Sequence, residues 1–153
     1  MKITICGSMV FYKEMEDLKN ILEQKNHEVK IPLLAKEVIT DEGGSKKMSF
    51  AKFIEDRGGI ENFPLGHDVW DGKAGAINSH FEKIEWCDAI LVANFDKRGV
   101  VGYVGGNTLI EIGVAFYLKK KIFILNKISS EISYKEEIFG MKPIFLAGNL
   151  ENI

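Results

Sequence analysis

The sequence predicts a doubly wound α/β domain built on a five-stranded parallel sheet with helices on both faces. Three observations carry that expectation. Short apolar or β-branched runs alternate with segments of helical period along the chain. The run AILVAN is almost unbroken in its apolar character, as suits a strand covered on both faces. Glycine turns, Gly7-Ser8 after one run and GYVGG before a helix, stand where the strand-to-helix connections of such a sheet fall.

Taken in order, Lys2 to Cys6 is a β-branched strand that stops at Gly7-Ser8. From Phe11 to Gln24, the positions Met15, Leu18, Ile21 and Leu22 recur at three- and four-residue spacing and mark an amphipathic helix. Glu28 to Ile31 is a second strand closed by Pro32, and strand, helix, strand argues for a parallel βαβ unit. The stretch from about 35 to 75 mixes Gly43-Gly44, Gly58-Gly59, Pro64 and Gly72 with brief apolar patches, and is expected to be a long loop or lid within a single domain of residues 1–153. Its aromatics Phe63 and Trp70 either stack on a flat ligand or pack the excursion onto its own domain. Helix Ala76 to Trp86, strand AILVAN, helix Thr108 to Leu118, strand Lys121 to Leu125, a short helix near Tyr134 to Phe139 and strand Pro143 to Leu146 follow. Five strands alternating with helices give the flavodoxin-like order 2-1-3-4-5 as the usual solution.

At 153 residues the chain suits one domain able to bury roughly 70% of the surface of its unfolded form. A charged fraction of 27% and a net charge of −2, with no polybasic tract, argue against a nucleic-acid partner. The amino terminus MKITICGS lacks a secretory h-region and no apolar run approaches a membrane span, so a cytoplasmic protein without membrane contact is expected. Cys6 and Cys87 form no CxxC pair, and the histidines His27, His67 and His80 are dispersed; neither disulfide, metal nor cofactor is indicated. Cys6 reads as a small buried residue or, at a strand end, as a reactive thiol.

In a sheet of this order, ligands bind beyond the carboxyl ends of the strands at the point where strand order reverses. That rule selects Gly7 and Ser8 after the first strand, Asn94, Asp96 and the glycines up to Gly105 and Gly106 after the third, and Glu111 on the next helix. Thr108 and Glu111 have the spacing of a capping box, in which each side chain satisfies the other's backbone donor. Alternatively, the glycine-rich approach brings a ligand close, and the helix amino terminus keeps Glu111 ionised as a nucleophile must be.

The segments ICGSM, HFEKIEWCDAILVANFD and GYVGGNTLIEIGVAFYLKKKIFIL resemble the nucleoside 2-deoxyribosyltransferase superfamily, which includes the 2′-deoxynucleoside 5′-phosphate N-hydrolases. The resemblance spans both halves of the expected sheet but not the excursion. It implies N-glycosidic cleavage or transfer on a nucleoside or nucleotide, with Glu111 ahead of Gly113 and Ala115 as the attacking carboxylate. Asp96 becomes an acid candidate for the leaving base, with a solvated turn aspartate as the other reading. Family members carry an aspartate eight residues before the one that opens the third strand; counting back from Asp88 gives His80, which can also donate a proton near neutral pH. In the phosphate-preferring hydrolases, arginine and glycines follow Gly-Ser, whereas Met9, Val10 and Phe11 stand here. Tyr12, Tyr103 and Asn107 are further ligand candidates, and a homo-oligomer of two or more copies is expected by analogy. The loop GYVGGNTLIE is also similar, one residue short, to the motif of cytokinin-type nucleotide phosphoribohydrolases, which act on the same bond class. The alternative from another class is a nucleotide-binding sensor of the same fold without turnover. An FMN electron carrier ranks below both, because the first turn is not a serine/threonine-rich phosphate loop.

Overall fold

A computed structural model of the chain describes residues 1–34, 36–39 and 45–153. These divide into two compact units, Met1–Pro32 with Phe81–Ile153, and Leu33–His80.

The first unit carries the sheet. Strands β1 (Lys2–Cys6), β2 (Glu28–Lys30), β5 (Ala89–Val92), β6 (Lys121–Ile124) and β7 (Ile144–Phe145) lie in the order β2-β1-β5-β6-β7, every neighbouring pair parallel. Counted among these strands alone, that is the expected 2-1-3-4-5. The β5 run earns its central place by burial on both sides. Ala89, Leu91 and Ala93 face a cluster with Met15, Leu18 and Leu22 of α1 (Tyr12–Gln24). Ile90 and Val92 face the opposite cluster, with Ile84 of α3 (Val69–Trp86), Ile112 and Ala115 of α4 (Gly106–Tyr117) and Ile138 of α5 (Lys135–Gly140). Alternate residues of one strand thus serve two layers of helices, each large side chain contributing about 1.5–3 kcal/mol when fully buried. Asp88 pins the start of the sheet: its Oδ2 accepts the Lys2 amide at 2.8 Å, and its own amide donates to Lys2 O at 2.9 Å.

The stretch expected as a loop holds regular structure. Strands β3 (Lys36–Ile39) and β4 (Ser45–Met48) pair antiparallel, and α2 (Phe50–Glu55) follows with Ser49 Oγ accepting the Lys52 amide at 3.2 Å. Gly43 and Gly44 lie outside the described residues. Phe63 and Trp70 pack within their own unit: Phe50 sits 6.2 Å from Trp70 and 6.4 Å from Phe53, and Phe53 6.3 Å from Phe63, centroid to centroid. A hairpin and a short helix escape periodicity analysis because neither offers enough turns to repeat a pattern. Helix α3 begins seven residues before the expected Ala76, running through Gly72 and Gly75. An apolar cleft of about 390 Å³ in this unit is lined by Phe50, Ile54, Ile60 and Trp70. Among the described residues no helix is long and apolar enough to cross a membrane.

Candidate functional site

Strand order reverses at β1, which pairs with β2 on one side and β5 on the other. At this seam Cys6 and Val92 are register partners, and the chain leaves both strands at the same edge. The Ala93 amide donates to Cys6 O at 2.8 Å, extending the ladder by one bond. Gly7 follows because nothing larger fits easily: a Cβ there would stand 3.1 Å from Ala93 O and 3.2 Å from Met15 Sδ. Ser8 opens a 3₁₀ turn, Met9–Phe11, without capping it through its side chain.

The segment leaving β5 folds back as a small hairpin. Lys97 and Val100 exchange backbone hydrogen bonds of 3.0 and 2.9 Å across Arg98 and Gly99. Both turn residues have positive φ, 51° and 81°, the signature of the primed turns whose twist suits a hairpin. Asn94, wholly buried, ties this segment to the end of β6: its Oδ1 accepts the Asn126 amide at 2.8 Å, and its Nδ2 donates to Asn126 O at 3.0 Å and Gly102 O at 3.3 Å. Asp96 is exposed, and its Oδ1 accepts the Gly102 amide at 2.9 Å. The turn of Asp96 therefore fixes the loop. Lys97 extends from this hairpin to the end of β1, where its Nζ donates to Ser8 Oγ at 2.9 Å and lies 4.8 Å from the centroid of the Tyr103 ring. Tyr103 in turn covers Gly105, where an added Cβ would meet the ring at 3.1 Å.

Helix α4 starts two residues earlier than the Thr108 expected, with Gly105 as its N-cap and no side chain capping it. Thr108 is consequently the third helical residue and Glu111 falls in the second turn, so the capping box expected from their spacing is not how this helix begins. Glu111 is half-buried, with its Oε2 screened from solvent. Cys6 Sγ and a Glu111 carboxylate oxygen lie within 4.8 Å of each other, and the thiol donates a hydrogen bond to the carboxylate. Burial first, then the charge of Glu111, push the Cys6 thiol well above its usual range. Lys83 of α3 lies in the same field: burial and Lys30 hold its ammonium below the usual lysine range, and Glu111 acts in the opposite direction.

The structure thus brings Ser8 and Tyr103 together through Lys97, and sets Glu111 against the residue that precedes Gly7. Gly106 and Asn107 are exposed at the start of α4. Tyr12, the first residue of α1, packs beside the β1 face of the core, and burial followed by Glu16 raises its phenol. His80 is 6% exposed and is the last residue of the second unit, so the surface histidine considered from sequence is a buried one. Lys97 escaped sequence reasoning: beside Arg98 and Gly99 it reads as part of a solvated turn, and only the hairpin carries it back to Ser8. The pairing of Cys6 with Glu111 escaped as well, since the two are far apart in sequence and meet only across the sheet edge.

No protein-family model matches the chain, and neither does any curated protein sequence. Among solved structures, the chain is similar to a 2-deoxyribosyltransferase from the psychrotolerant bacterium Bacillus psychrosaccharolyticus, at 15% identity and a TM-score of 0.52, over 95% of this chain and 85% of that one. It is also similar to the CMP N-glycosidase BcmB of Clostridium botulinum, at 18% identity and a TM-score of 0.48, over 95% and 87%. The first likeness shows a shared fold, which is the fold expected from the resemblance in the sequence.

Proposed function

We propose that this protein cleaves or transfers the N-glycosidic bond of a nucleoside or nucleotide, with Glu111 as the nucleophile at C1′ of the sugar. The observation that carries the reading is the position of the Glu111 carboxylate: against Cys6, the last residue of β1, where strand order reverses, on a helix capped by Gly105 rather than by a side chain. A Glu111 oxygen attacks C1′, the bond from C1′ to the base nitrogen breaks with its electron pair leaving on the base, and the base takes up a proton. Water, or a second base, then attacks C1′ of the glycosyl ester and regenerates the carboxylate, as in a retaining glycosidase.

Cys6 is the obvious rival nucleophile and is the poorer one. Its thiol is wholly buried and held protonated well above neutral pH, whereas a thiolate is what attacks. A thiol is a weak hydrogen-bond donor, and here it helps to orient the carboxylate. Asp96 Oδ1 accepts one main-chain amide and the Asn94 side chain bonds several main-chain groups, which supports a part for both in holding the loop. The structural neighbours, one named as a deoxyribosyltransferase and one as an N-glycosidase, are consistent with this bond class.

The test is release of free base from a panel of nucleosides and nucleotides, followed by chromatography. Wild type is expected to release base from at least one of them. Glu111→Gln, matched for folding by circular dichroism, is expected to lose about a thousandfold or more in rate, some 4 kcal/mol of barrier. Full activity in that variant would remove Glu111 as the nucleophile, and binding without base release in wild type would leave a nucleotide-binding module in place of an enzyme.

A further inference from the structure

We propose that Lys83 is the proton donor to the departing base, a catalytic acid working opposite Glu111. This inference rests on the N-glycosidic reading above and deepens it, since the base leaves with an electron pair and needs a proton.

Two hydrogen bonds to neighbouring strands place Lys83. Thr4 Oγ1 donates to Lys83 O at 2.7 Å, which fastens this turn of α3 to β1. Lys83 Nζ donates to Ile31 O at 3.0 Å, which carries the ammonium to the carboxyl end of β2. Thr4 and Cys6 alternate with Ile3 and Ile5 of the α1 cluster, so both face the α3 and α4 side of β1, where Cys6 donates to Glu111. Lys30 is the register partner of Thr4, so Ile31 follows abreast of Ile5, one residue short of Cys6. The ammonium and the Glu111 carboxylate therefore meet the switch point from adjacent strands, offset by about one strand spacing, roughly 5 Å. Retaining glycosidases set acid and nucleophile about 5–5.5 Å apart across the anomeric carbon, which is the same scale.

The surroundings suit the role. Lys30 of β2 and Glu111 of α4 are the charged groups that act on Lys83, and the titratable thiols are Cys6 on the same face of β1 and Cys87, bonded to Thr4. Burial first, then Lys30, lower the ammonium below the usual lysine range, and Glu111 acts against them. An ammonium so placed gives up its proton more readily than one in water. Among the described residues no carboxylate forms an ion pair with Lys83, and a lysine with three donors keeps two after bonding Ile31 O.

As a Glu111 oxygen bonds to C1′, the bond from C1′ to the base nitrogen breaks and its electron pair goes to the base. A proton passes from Lys83 Nζ to the base, leaving Lys83 as the neutral amine. When water attacks C1′ of the glycosyl ester, the amine takes the proton that the water gives up. The ester bond breaks with its pair returning to the carboxylate, and the ammonium is restored.

The experiment measures kcat/KM for base release in wild type, Lys83→Met and Lys83→Arg, each matched for folding by circular dichroism. Each protein is given a substrate that wild type cleaves and its analogue with an activated base, N7-methylated for a purine or 5-nitro for a pyrimidine. Activated bases depart with little help from a proton. Lys83→Met is expected to lose about 100-fold or more on the ordinary substrate, the range of general acid catalysis, and to stay near wild type on the activated one. Lys83→Arg keeps a positive charge and its donors but does not release a proton, and it is expected to behave as Lys83→Met does. An equal loss on both substrates, or full activity of either variant on the ordinary substrate, overturns the proton-donor role while Glu111 stands as nucleophile. A wild type that releases no base from any substrate overturns the N-glycosidic reading and this role with it.

Discussion

Gly102 shows how much a single position can decide. Its φ is +59°, and a Cβ there would sit 1.7 Å from Lys127 O, so the loop after β5 and the loop after β6 meet at a point where only hydrogen fits. Gly102→Ala is expected to destabilise the fold by about 3 kcal/mol or more, combining the left-handed penalty with a clash against backbone that cannot rotate away. Urea unfolding measures it, and a loss under about 1 kcal/mol would mean the two loops separate freely. The glycine is visible in the sequence as one of several in GYVGG. Which of them is indispensable is not, because that depends on Lys127, a residue 25 positions further on.

At the scale of elements, the loop between β5 and α4 is the part that converts strands into a site. Asn94 holds it, exchanging hydrogen bonds with both the amide and the carbonyl of Asn126 at the end of β6. Asn94→Ala leaves a buried amide and carbonyls without partners and is expected to cost about 2–4 kcal/mol. Because the same side chain holds Gly102 O, base release should fall together with stability, with KM for substrate rising. A variant that loses stability but keeps its kinetics would separate the tie from the site. Strand AILVAN and helix α4 were legible from their apolar pattern. The start of α4 was not, since Thr108 and Glu111 have the spacing of a cap while the glycine before them takes the cap itself. Local pattern locates a helix; the turn that precedes it decides its first residue.

For the molecule as a whole, buried acids shape the response to pH. Burial is the main cause that raises both Cys6 and Cys87, so the unfolded chain gives up these protons first as pH rises. Their contribution to stability is complete below the ordinary thiol value of 9.0 and is lost as pH climbs above it. Urea unfolding followed from pH 8 to 10 is expected to show stability falling, with a shallower fall in Cys6→Ala. An identical pH slope in that variant would place the thiol in contact with water.

The alternation of strand and helical segments, the apolar continuity of β5 and the glycine turns were enough to determine the doubly wound sheet and its strand order, because chirality and layer packing leave few other ways to bury such segments. The same reading placed Glu111 beside the switch point. What the tertiary structure alone decided was who stands next to whom: Cys6 against Glu111, Lys97 against Ser8, Gly102 against Lys127, and a hairpin and helix where a loop was expected. Those pairings join residues tens of positions apart, and no periodicity along the chain encodes a distance across the end of a sheet.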